Sequence, residues 1–273
     1  HSAAQEELMF KSRITSRFPS RFNDRFMVPS IPNTLGQGGG GYTPANSEAA
    51  ALFARFTTPP TNARKALIDA LVGSLKTAGV WAKLDALYLF AAADAQAARQ
   101  NWVQDLYNAT AVSSPTFTSD RGYTGDGAAS YVDSNFNPTT AVAAKFVQNS
   151  AYFGFWSRTA GQLSGSAAGF FDGTKGVTRL ARNLSNESSG RINQTTPIGT
   201  SGGLQTDGSG LIGISRSGAS VDRISRNGVN QFTGTDASSA LANGTLRFGA
   251  TGVGFSTLQF AAGLIGQDLS VSD

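Results

Sequence analysis

The spacing of hydrophobic residues changes character near residue 113. Before that point the pattern is helical in two places. Ser47 can cap a short Ala-rich helix running toward Phe56. Thr58-Pro59 then offers an N-cap with proline at the first helical position. Leu67, Leu71 and Leu75, with Ile68 and Val72, make one apolar face that stops at Gly79. The simplest use of that face is packing on a neighbouring sheet; helix–helix oligomerisation is the alternative. The run from Ala86 to Ala91 predicts a buried strand, and Asp94 a cap for a further short helix reaching Trp102.

From Ser113 onward, short segments rich in Val, Ile, Phe and Tyr alternate with clusters of Gly, Asn, Asp and Ser, and no long helical period survives. This is how an antiparallel sandwich or barrel is written. Val221 to Arg226 leads into Asn227-Gly228, and Leu241-Ala242 leads into Asn243-Gly244, so both pairs predict tight hairpins. After the second, Leu246 and Phe248 share the inward face of a strand.

Ahead of the helices the pattern is different again. An Arg-Phe pair recurs every four residues, at Arg17-Phe18, Arg21-Phe22 and Arg25-Phe26. Pro19 inside the run, with Pro29 and Pro32 after it, favours an extended arm over a helix. Such an arm can dock, its Phe side chains filling pockets in a partner and its Arg meeting carboxylates; the same Phe can instead fold back on the body of this chain. The glycines from Gly36 to Gly41 follow no hydrophobic strand and precede no Gly-Lys-Ser/Thr, so they read as a linker and not a phosphate loop. The expected organisation is therefore an arm and linker over residues 1–45, a helical connector with a buried strand over 46–112, and a β-sandwich over 113–273.

Composition narrows the chemistry. Thirty-two Gly, 18 Phe and only 15% charged residues suit a turn-rich β protein with a substantial core. There is no Cys, which removes disulfides, thiolate zinc sites and cysteine nucleophiles. The one His is His1, a remnant of cloning or a mature terminus before it is a catalytic base, so histidine triads and histidine metal sites are not expected. A net charge of +4, with its basic residues clustered only near the N-terminus, is too mild to predict nucleic-acid binding. No stretch is long and apolar enough to predict a membrane span, and no signal peptide is visible.

Several blocks, in order, resemble the concanavalin A-like lectin/glucanase superfamily, especially its laminin-G-like domains in phage and bacterial surface proteins. They are Arg121 to Asp133, Ala151 to Ser157, Leu211 to Ser217, Ser225 to Val229, Gly244 to Gly249 and Phe260 to Ser270. The resemblance covers Ser113 to the end and implies a mainly β fold, an antiparallel jelly-roll β-sandwich. Leu84 to Asp94, followed by Asn101-Trp102-Val103, is similar to segments preceding this domain in phage structural proteins. That likeness implies a virion component in an extracellular particle, of fibre, spike or decoration type, docked on other virion proteins through its arm and presenting the sandwich to a host surface glycan or to neighbouring subunits. A homo-oligomer would add avidity. The alternative is a bacterial surface or secreted carbohydrate-binding module. Domains of this kind continue past the Asp-Leu-Ser block, whereas this sequence stops at Asp273, so a longer natural chain is expected.

Glycoside hydrolases on such a fold need two carboxylates flanking the scissile bond, commonly along one strand. Only four Glu exist, Glu6, Glu7, Glu48 and Glu187, and none sits in such a run. No catalysis and no cofactor are expected. Asp120, Asp126, Asp133 and Asp172 are candidate oxygen ligands for a hard cation such as calcium, but their spacing does not match an EF-hand and turn formation is the commoner use, so no metal site is expected. Sugar binding needs aromatic faces beside polar groups, which singles out Tyr123, Tyr131 and Trp156, although strand aromatics ordinarily pack in cores. Sequons begin at Asn108, Asn183, Asn186, Asn193 and Asn243, as chance allows in a chain this rich in Asn, Ser and Thr.

Overall fold

A computed structural model describes residues 41–163, 167–199 and 205–269. The Arg-Phe repeat of the expected arm lies outside the described residues. Thr43–Asp273 form one compact unit.

Helix α1, Ser47–Phe53, starts after Asn46. Its entry is held by Asp69 and not by a Ser47 cap: the buried carboxylate accepts from the backbone N–H of Ala45 (2.7 Å) and Asn46 (3.0 Å). Asp69 belongs to α2, Asn62–Thr77, so one side chain fastens the two helices together. Helix α2 begins later than Thr58-Pro59 suggested. Pro60 disfavours a helical conformation at Pro59, and Thr61 becomes the cap, its hydroxyl accepting from Arg64 N (3.3 Å). The helix ends at Thr77, with Gly79 in the left-handed region at φ 74°. Ile68 and Val72 are buried with Leu52, Leu84, Leu87 and Trp102, and Leu71, Leu75 and Leu264 pack against them.

A 3₁₀ turn, Trp81–Lys83, leads into strand β1, Leu84–Tyr88, two residues earlier than expected. Asp94 caps α3, Ala95–Ala98, accepting from Gln96 N and Ala97 N at 2.9 Å each. That helix stops short of Trp102 because the backbone is drawn back to β1. Trp102 N donates to Leu87 O (2.8 Å), and the buried Asn101 side chain accepts from Leu87 N and donates to Asp85 O.

The remaining strands build two antiparallel sheets. Along the chain they are β2 Thr110–Val112, β3 Thr116–Thr118, β4 Gly122–Thr124, β5 Tyr131–Asp133, β6 Ala151–Ser157, β7 Ala168–Phe171 and β8 Gly176–Leu180. Then follow β9 Ser189–Gln194, β10 Ile198–Gly199, β11 Gly210–Gly218, β12 Val221–Arg226, β13 Val229–Gly234, β14 Arg247–Phe248 and β15 Gln259–Gly266. Among the described residues sheet I has eight strands in the order β13-β12-β11-β6-β15-β4-β3, with β1 also paired to β15. Sheet II has seven, β10-β9-β8-β7-β14-β5-β2. No helix among the described residues is long and apolar enough to cross a membrane.

Strict alternation puts Phe153, Phe155, Ile212 and Ile214 of sheet I and Val132, Val177 and Phe248 of sheet II into one interior, all 0 % exposed. Phe153 stacks on Phe248 across the gap (5.5 Å between ring centroids), and Phe90 meets Phe248 and Phe260 edge-on at 5.0 and 5.1 Å. Each such ring contributes roughly 1.5–3 kcal/mol by leaving water. The fold is thus a two-sheet β-sandwich.

Of the two predicted hairpins, one forms. Asn227 (φ 50°) and Gly228 (φ 76°) join β12 to β13 in the double left-handed geometry of a two-residue turn. Asn243-Gly244 instead lies in irregular chain leading to β14, which pairs with β5 and β7. Gly244 is there for space: a Cβ on it would come within 2.2 Å of the Phe170 ring. Leu246 and Phe248 do share the interior.

Candidate binding face

The structure disperses the three aromatics singled out for sugar contact. Tyr123 is a core residue, 2 % exposed, against Phe90, Phe117 and Phe260, with its hydroxyl donating to Ala95 O (3.2 Å). Trp156 is half-buried on the outer face of sheet I, paired with Leu211 and Ala262. Beside it the Tyr152 ring lies across Gly154 and Gly213, so close that a Cβ on either would meet its hydroxyl at 2.6 or 2.5 Å. Tyr131 alone lies on the outer face of sheet II, because its neighbour Val132 points inward.

Around Tyr131 the sheet register assembles polar partners. Asp133, Arg247, Gly169, Thr178 and Arg191 are successive cross-strand partners on β5, β14, β7, β8 and β9, so they form one row across the outer face. The guanidinium of Arg247 lies 4.9 Å from the Tyr131 ring and 5.4 Å from the Phe170 ring. Its Nε is 3.7 Å from Asp133 Oδ2, an ion pair too long for a hydrogen bond. Asp133 Oδ2 instead accepts from Thr245 Oγ1 (2.6 Å), while Oδ1 accepts from Asn135 N (2.8 Å). At the far end of the row the Arg191 guanidinium lies 4.2 Å over the Phe171 ring, and its Nε donates to Thr195 O (2.9 Å). Burial draws the Arg191 pKa below the ordinary arginine value. Tyr131, Phe170, Phe171, Arg191, Arg247 and Phe255 are all partly exposed, and Phe255 flanks Tyr131 at 6.1 Å. Guanidinia stacked on rings and seated on strands form a preorganised surface for polar, multivalent ligands.

The candidate cation ligands do not converge. Asp120 pairs with Arg64 (2.8 Å), Asp126 accepts three backbone N–H groups of its own turn, and Asp172 caps the β7–β8 turn and pairs with Lys175. No three His, Cys, Asp or Glu side chains group as a metal site among the described residues. Glu187 accepts from the Asn183 amide (3.1 Å) within its loop. A cleft of about 350 Å³ opens at the sandwich edge between β10 and β13, lined by Pro197, Ile198, Phe232, Gly234 and Asp236 among others. It offers one ring and one carboxylate, with no cation in its lining.

No family model and no curated protein matches this sequence. Solved structures do. Domain 4 of AbnA, an extracellular GH43 arabinanase from Geobacillus stearothermophilus solved in complex with arabinotriose, is 14% identical over 70% of this chain and 95% of that one, with a TM-score of 0.48. The receptor binding domain of the botulinum neurotoxin C/D mosaic serotype is 10% identical over 62% of this chain and 46% of that one, at 0.46. The binding domain of botulinum neurotoxin serotype D is 11% identical over 62% and 45%, at 0.42. The chain thus spans under half the length of either neurotoxin structure.

Arg191, Arg247 and Phe171 were absent from the sequence-derived candidates, although a signal for them exists. Inward Leu246 and Phe248 force Thr245 and Arg247 outward, and inward Ile192 forces Arg191 outward. What alternation cannot give is the order of strands in sheet II, which alone puts the two arginines in one row.

Proposed function

We propose that this protein is a non-catalytic glycan-binding β-sandwich that acts in adhesion, recognising its ligand through the outer face of sheet II. The observation that carries this reading is the row Asp133–Arg247–Gly169–Thr178–Arg191, bordered by partly exposed rings and held on five adjacent strands. Glycan recognition uses such combinations of aromatic surface and fixed polar groups. The test is a glycan array probed with the full chain, with Arg247→Ala and with Trp156→Ala. The expected result is that specific binding falls at least about tenfold in Arg247→Ala, as loss of a charge-assisted contact does, and survives in Trp156→Ala. Binding that ignores Arg247 and needs Trp156 would move the site to sheet I.

A second reading concerns the setting. The Arg-Phe repeat at Arg17-Phe18, Arg21-Phe22 and Arg25-Phe26 favours a chain that docks on a larger assembly, a virus particle in the reading given by the phage-like segments, with the sandwich facing a host surface.

A further inference from the structure

We infer that the ligand of the sheet II face is a polyanionic glycan, one bearing carboxylate or sulfate groups along its chain; this rests on the glycan-binding reading above. The usual apolar platform for a neutral sugar is an open ring face. Here guanidinia lie over the rings: Arg247 over Tyr131 and Phe170, Arg191 over Phe171. What the face presents is the guanidinium edges. Arg191 is oriented twice, by its ring and by the bond from Nε to Thr195 O, while its two Nη groups have no hydrogen-bond acceptor among the described residues. Arg247 is likewise fixed between two rings, its Nη groups without such an acceptor among the described residues and its only ion-pair carboxylate there, Asp133, also engaged by Thr245. A planar fork with both ends free matches the two oxygens of a carboxylate or sulfate.

The spacing sets the ligand's form. The backbone positions of Arg247 and Arg191 are separated by Gly169 and Thr178, three strand intervals or roughly 14 Å, and the Arg191 side chain reaches back over Phe171 of β7. Two anchored guanidinia on one face suit a chain that carries more than one acidic group. Two forks held on one rigid sheet favour a repeating ligand because the second contact is intramolecular once the first has formed. Nucleic acid is also a repeating anion, but its recognition in single strands uses open ring faces for base stacking, and these rings are covered on one side by guanidinia.

The experiment measures binding of the full chain to polygalacturonate, to its carboxyl-reduced neutral counterpart, to dextran sulfate and to single-stranded DNA, across increasing salt. The expected result is binding to polygalacturonate or dextran sulfate at least tenfold tighter than to the neutral chain, weakening as salt rises. Arg191→Gln and Arg191→Lys should each weaken it severalfold while a cooperative melt shows the fold retained, Lys failing because it keeps the charge and loses the fork. Equal binding of the neutral chain, or insensitivity to both Arg191 substitutions, overturns the inference while leaving glycan binding intact. Tighter binding of DNA than of either acidic polysaccharide assigns the face to nucleic acid. Absence of binding to every glycan on the array defeats the functional reading itself.

Discussion

Two arginines cross the interior of the sandwich from opposite sheets. Arg179 of β8 donates through Nε to Gly213 O (3.0 Å) and through Nη1 to Ser188 Oγ (2.6 Å) and Leu180 O. Arg216 of β11 donates to Ile192 O (2.8 Å) and Gln194 Oε1 and pairs with the buried Asp222 (3.5 Å). Each satisfies backbone carbonyls of the other sheet, so they lock the sheets in register where apolar packing alone would allow sliding. Burial lowers the pKa of Arg179 to about 9. Tyrosine hydroxyls face the same penalty. Tyr88 is fully buried, its one hydroxyl proton shared between Tyr107 O (2.6 Å) and Ser134 O (2.9 Å), and burial raises its pKa well above 10; Tyr152 is pushed up to about 12, chiefly by burial. At Tyr88 and Tyr152 the folded chain therefore keeps protons that the unfolded chain releases above about pH 10. This contribution to stability is complete below that pH and is lost as pH rises through about 12 for Tyr152. Spectrophotometric titration should show fewer tyrosines ionising in the native protein at about pH 11 than in denaturant, and Tyr152→Phe should flatten the alkaline fall in thermal midpoint. Full ionisation of all tyrosines by that pH, with the protein still folded, would contradict it.

At the scale of elements, the strands depend on glycines at fixed points. Gly169 of β7 has φ 119°, and a Cβ there would lie 1.9 Å from Val177 O. Gly169→Ala should cost at least about 1–3 kcal/mol, read as a lowered denaturation midpoint, because strain adds to a clash with backbone. A change within about 0.5 kcal/mol, the range of ordinary surface substitutions, would show that β7 relaxes freely. Much of this level was legible beforehand. The apolar period of α2, the Asp94 cap, the inward pair Leu246 and Phe248, and the Asn227-Gly228 hairpin are local features whose chemistry sits within a few residues. The failures have tertiary causes. Asn243-Gly244 has hairpin residues, but its strand is drawn between β5 and β7, far away in sequence. Helix α3 ends early because Asn101 bonds to β1. Tyr123 and Tyr131 look alike in sequence, yet strand pairing puts one in the core and the other on a surface.

For the whole molecule, the helical segment and the sandwich are not separate layers of function. Strand β1 joins sheet I, and α1 and α2 share a hydrophobic cluster with Leu264 of β15, so Thr43–Asp273 fold together. A chain lacking residues 1–42 should therefore still fold and unfold cooperatively. If the arm is an anchor, that shortened chain should lose co-sedimentation with host-free virus particles while keeping its glycan binding; retained co-sedimentation would show that the arm is not the anchor. In the proposed binding mode, ligand meets sheet II on its outer face. The most direct test is an amide chemical-shift titration of the isotopically labelled full chain with the tightest glycan found on the array. Shifts should concentrate at Tyr131 to Asp133, Gly169 to Phe171, Arg191 and Arg247, with the Trp156 indole unmoved. Shifts centred on Trp156 and its strand neighbours, with the Arg191 and Arg247 amides silent, would contradict it.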